Sequence, residues 1–153
     1  MKVKTDETHI EAVKRVFLLK GVEDLYNKYI NKIFKVALFR NQAAISGTFG
    51  AATTNFSQMG ADQVTGTGYT SGGFTLTNVT PTSTGTTAFV DFSPNATFAN
   101  STLTSCGALI YNSTDGGKAV AVLDFGGDKT STNGTFTIIF PANDASNAIV
   151  RIA

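Results

Sequence analysis

Apolar and polar residues alternate along this chain in two different rhythms. Val22, Leu25, Tyr26, Tyr29, Ile30 and Ile33 recur at the three-and-four spacing that places side chains on one face of a helix, with Glu23, Asp24, Lys28 and Lys32 opposite. Ile10, Val13, Val16 and Phe17 form a similar stripe between about Glu7 and Leu19, and Gly21 is the expected break between the two helices. At Phe34-Lys35-Val36-Ala37-Leu38-Phe39-Arg40 the period changes to two, which predicts the first strand of a β body. Further strands are predicted near Gly73–Val79, Thr86–Phe92, Ser105–Tyr111, Ala119–Phe125, Gly134–Phe140 and Ala148–Ile152, with a long irregular loop over 41–68. This pattern predicts a mainly β chain. Residues 1–33 would form a charged arm of one or two short helices, and residues 34–153 an antiparallel β-sandwich of jelly-roll or Ig-like type.

Turn chemistry agrees with the breaks. Asp115-Gly116-Gly117 lies between two strand-like runs and Asn133-Gly134 opens another; both supply the positive φ that tight hairpins need. Thr75, Thr77, Thr135 and Thr137 alternate with Phe74, Leu76, Phe136 and Ile138, so the threonines fall on the solvated face of their strands.

Composition sharpens this picture. Only 15% of the residues are charged, against roughly 25% in an ordinary soluble domain. The net charge of +1 also hides a division: residues 1–40 carry nine Lys/Arg against five acids, and residues 41–153 carry three against six. A basic head therefore precedes a faintly acidic body. The single cysteine, Cys106, rules out an internal disulfide, and its strand-like surroundings predict a buried, inert thiol. The first apolar cluster, Val16 to Leu19, is much shorter than a signal-peptide core or a membrane span, which leads us to expect a protein made and kept in a reducing cytoplasm until assembly.

The motifs that could carry chemistry reduce to turns. Asp124-Phe125-Gly126 matches the metal-binding tripeptide of protein kinases, but the glycine-rich loop and catalytic-loop signature that give it meaning are missing. Gly66-x-Gly68 and Gly116-Gly117-Lys118 lack the rest of a nucleotide-binding loop. The sole histidine, His9, lies far in sequence from Cys106, which argues against a nucleophile–base pair. Asp124 and Asp128 are the closest acidic pair of the body and read as turn caps rather than as a Ca²⁺ site. The expectation is a protein that is not an enzyme, with no catalytic, cofactor-binding or metal-binding residue. Charges spread around the N-terminal helices and interleaved with acids argue against a nucleic-acid or membrane partner. The apolar stripe must still be buried, against the β body, a sister subunit or a larger partner. Val16, Phe17, Leu25, Tyr26, Tyr29 and Ile30 are the candidate partner-binding residues.

Four segments carry a resemblance: 33–42 (IFKVALFRNQ), 64–77 (VTGTGYTSGGFTLT), 99–113 (ANSTLTSCGALIYNS) and 120–139 (VAVLDFGGDKTSTNGTFTII). In this order they resemble a family of small tailed-bacteriophage virion proteins found in head and neck modules. The resemblance spans roughly Ile30 to Phe140, and its last segment is the most specific. Met1–Gly21 and Pro141–Ala153 depart from the family pattern. What it implies is a structural virion protein that decorates or cements a capsid, with the major capsid protein or neck and tail proteins as partners and a homo-oligomeric state; it implies no catalytic residue. The alternative is a host-surface-binding or neck/tail-fibre-associated module of the virion. In either case the basic head or the C-terminal tail would anchor the protein while the β body faces outward.

Overall fold

The computed structural model describes Lys20 and residues 22–77 and 80–153. It is mainly β, with two antiparallel sheets and two short helices. The expected helix Glu7–Leu19, the Gly21 break, Val16, Phe17 and His9 lie outside the described residues. The chain forms two compact units. One takes the described parts of Met1–Asn31 and Asn78–Phe92 together with Phe140–Ala153; the other takes Lys32–Thr77 and Ser93–Ile139.

In the first unit, residues 22–29 are helical and Asn31, at φ 56°, ends the helix in the left-handed conformation that asparagine tolerates. The three-stranded sheet of this unit has the order β3-β4-β7, with β3 Thr82–Thr84, β4 Thr87–Val90 and β7 Val150–Ile152. Strand β3 lies where the sequence reads as turn. Gly85, at φ 60°, folds it back onto β4, so that Thr82 pairs with Phe89. Phe89, Val90 and Phe92 are buried, and the Phe92 and Phe140 rings lie 6.0 Å apart.

The second unit is built on β1 Phe34–Phe39, β2 Phe74–Leu76, β5 Ala96–Asn112 and β6 Lys118–Ile138, in the order β2-β1-β5-β6. In β1, predicted as the first strand of the body, Val36, Ala37, Leu38 and Phe39 are all buried. Both faces are covered. On the side of Ala37 and Phe39, a cluster with Met59, Leu109 and Tyr111 is roofed by Ile45, Phe49 and Phe56 from the long loop. Phe49 stacks on Phe39 at 4.4 Å and Phe56 on Tyr111 at 4.3 Å.

The loop is ordered by its polar residues. Asn55 caps the 3-10 helix Phe56–Asp62 in a reciprocal capping box with Gln58. The Asp62 carboxylate accepts the Ser46 and Gly47 N–H groups at 2.8 and 2.7 Å and the Ser46 hydroxyl at 3.0 Å. The Ser46 N–H, then Gly47 and the nearby Arg40, hold its carboxyl below the usual range despite the opposing effect of burial. A depressed native pKa stabilises the fold fully above the unfolded value, and that contribution is lost as pH falls through the native one. Asp62→Asn should therefore lower Tm by several degrees at neutral pH and flatten the acid limb of the Tm–pH curve, read by circular dichroism from about pH 2 to 7. An unchanged acid limb would contradict this role.

The other face of β1 is covered by the sheet's own hairpin. The sequence suggested separate strands at Ala119–Phe125 and Gly134–Phe140, with a short Ser105–Tyr111 strand before them. Instead β5 runs for 17 residues and β6 for 21. Gly126 and Gly127, at φ 67° and 126°, and Asn133, at φ 47°, open bulges inside β6 rather than ending it. Gly107 pairs with Asp124 and Ser105 with Lys129, so Phe125–Asp128 bulges out opposite Cys106. There the ribbon turns back. Phe98 reaches within 5.9 Å of Phe74, which pairs with Val36 and so stands at the level of Ile110. A straight strand would hold positions 98 and 110 about 40 Å apart. Phe98, Phe136 and Tyr69 thereby cover the Val36–Leu38 face, and the Tyr69 hydroxyl accepts the Leu38 N–H at 3.1 Å.

Candidate functional site

Among the described residues, the bent hairpin leaves one side of β6 without a strand. β6 is the edge of its sheet. Among the described residues its outer side is met at its start, where Ala119 N–H donates to the Thr54 carbonyl at 2.9 Å and Asn55 bridges Lys118. From Val120 onward, among the described residues, the outer main-chain groups of β6 have no backbone partner besides β5. The exposed start of this edge is Val120-Ala121-Val122-Leu123-Asp124, four half-buried aliphatic side chains and one exposed carboxylate.

A groove of about 440 Å³ runs beside this segment, between Phe49, Gly50, Ala51 and Thr53 on the loop and Ala119 to Val122 on the strand, with Asp124 the one charged lining residue among the described residues. A smaller cleft of about 120 Å³ adjoins it through Phe49, Val122 and Asp124 and adds Ile45, Cys106 and Leu123. The loop stays beside the strand because Phe49 is stacked on Phe39 and Asn55 Nδ2 donates to the Gly116 carbonyl at 2.8 Å.

The polar chemistry near the groove is committed to the backbone. The Cys106 thiol donates to the Arg40 carbonyl at 2.9 Å, and burial, followed by the charges of Asp128 and Asp124, pushes its pKa up. It is a poor nucleophile in that state. Asp124 accepts the Gly126 N–H at 2.8 Å, the local turn cap expected of it, whereas Asp128 accepts the Gln42 N–H at 2.8 Å and so ties β6 to the distant loop instead of capping its own turn. Among the described residues, no three His, Cys, Asp or Glu side chains are grouped to hold a metal ion. No helix among them is long and apolar enough to cross a membrane. In the first unit, Asp91 is buried at 1% exposure; burial raises its pKa against the hydrogen bond from the Phe92 N–H.

The candidate partner-binding residues separate on the helix. Leu25 and Tyr29 are buried, each 2% exposed, Ile30 is half-buried, and Tyr26, at 46%, faces outward; Val16 and Phe17 lie outside the described residues. Ile33, read as the end of the same stripe, is exposed because the helix has already stopped at Asn31. Sequence reading missed the groove. The run from Ala119 to Leu123 shows that a strand forms there, but nothing local in it says which side of the strand stays open. Compared with known proteins, the chain matches no family model, no curated protein and no solved structure.

Proposed function

We propose that this chain is a non-catalytic assembly protein: a structural component of a tailed-phage virion that decorates or cements the capsid. The observation that carries the reading is the open edge of β6 with its flanking groove. A strand edge without a partner is a template for adding another chain; on β6, among the described residues, the stretch between its bulges at Val120 and Phe125–Asp128 is such an edge. The phage setting comes from the resemblance of the four segments between Ile33 and Ile139. The finer architecture, an antiparallel sandwich of jelly-roll or Ig-like type, belongs to the same proposal and is supported by the distal half of the β5–β6 ribbon folding back over the Val36–Leu38 face.

Quantitative mass spectrometry of purified particles tests this reading. Tens to hundreds of copies per particle are expected of a decoration protein. A few copies confined to the tail would favour the host-binding or fibre-associated module, and absence from particles would overturn the virion assignment.

A further inference from the structure

The open edge has a defined length. Thr54 occupies the strand's outer side at Ala119, and the Phe125–Asp128 bulge interrupts it after Asp124. Val120 is itself bulged between the Tyr111–Ala119 and Ile110–Ala121 pairs, so an added strand has a window of about four residues opposite Ala121–Asp124, roughly 14 Å at strand spacing. Side chains of an antiparallel strand share a face with the residues they oppose, and Val122 and Asp124, paired with Leu109 and Gly107, share the face roofed by Phe49.

We infer that the β6 edge accepts a short extended segment of another protein, antiparallel to β6, carrying a Lys or Arg opposite Asp124 and an aliphatic residue two positions later opposite Val122. This rests on the assembly reading only for where the partner is found. Charge selects the occupant. Among the described residues Asp124 is the sole charged residue lining either cleft; it is exposed and accepts the Gly126 N–H but has no ion-pair partner, so a cation at the start of the incoming strand meets a carboxylate without a counter-charge. A second copy of β6 fits less well. Paired antiparallel about Val122, it would bring Asp124 of each copy beside the bulged, aliphatic Val120 of the other, leaving two carboxylates without a cation. Main-chain hydrogen bonds supply the affinity in strand addition, and alternate side chains supply the selectivity.

The probe is a fluorescein-labelled peptide, Lys-Thr-Val-Thr-Val, followed by fluorescence anisotropy against the full chain. It should bind, the Glu-Thr-Val-Thr-Val peptide should bind at least about tenfold more weakly, and the backbone N-methylated lysine peptide should not bind. Asp124→Lys should reverse the order of the two charged peptides. Asp124→Asn, a smaller change that guards against misfolding of the first variant, should abolish the preference without reversing it. Absent binding at millimolar peptide, equal binding of the lysine and glutamate peptides, or a β6-dependent dimer in sedimentation that excludes the peptide would each overturn the inference. Copy number on particles is read independently, so either proposal can fail while the other stands.

Discussion

Gly73→Ala is expected to deprive the chain of its folded second unit. A Cβ on Gly73 would lie 2.0 Å from the Val36 carbonyl oxygen and 2.6 Å from its carbon, and the residue sits at φ 81°. Both neighbours are backbone in the middle of the sheet, so no side chain can swing away to make room. Left-handed backbone alone costs a non-glycine residue about 1–3 kcal/mol. With separation of β2 from β1 added, the loss should exceed about 4 kcal/mol, in the range reserved for disrupted cores. Urea unfolding and soluble yield measure it. Gly126→Ala is the matched control, because Gly126 has a similar φ of 67° but open space where the Cβ would go. If the two variants prove equally stable, the close approach of Gly73 to β1 is wrong.

The second large effect concerns the folded-back ribbon. Phe98 is 5% exposed and its ring lies within 5.5–6.4 Å of the rings of Tyr69, Phe74 and Phe136. Phe98→Ala should cost about 3–5 kcal/mol through lost burial and the cavity left behind. The loss should also be local at first. Hydrogen exchange should show amides of residues 130–138 losing protection before those of Val36–Phe39, because only the distal half of the hairpin depends on that ring for its place. Ile139→Ala, at a site 76% exposed, should change stability by no more than about 0.5 kcal/mol. Uniform loss of protection across the sheet after Phe98→Ala would refute a separately held ribbon.

How legible the fold was depended on the range of each signal. The start of β1 and the Asp115-Gly116-Gly117 turn follow from neighbouring residues, and both stand where the sequence places them. Thr135 and Thr137 are exposed and Phe136 and Ile138 buried, as their alternation requires. The length of β6 was not legible, because Gly126-Gly127 and Asn133 supply the same positive φ to a bulge as to a turn. Which of the two they serve is settled by β5, a distant stretch of chain. The two-sided burial of β1 likewise depends on the 41–62 loop and on Phe98, both distant in sequence. At the candidate site the aliphatic strand was readable, while its open side, its flanking loop and the solitary charge of Asp124 needed the assembled sheet.

The place of β1 in this sheet also has a consequence for biosynthesis. β1 emerges from the ribosome well before its main partner, since Phe34 pairs with Asn112. At ordinary elongation speeds that separation takes roughly 4–16 s. During that interval an apolar segment destined for burial on both faces has no β5 to join. Lys32, Lys35 and Arg40 bracket and interrupt it, the placement by which like charges keep a waiting hydrophobic strand from pairing with another nascent chain.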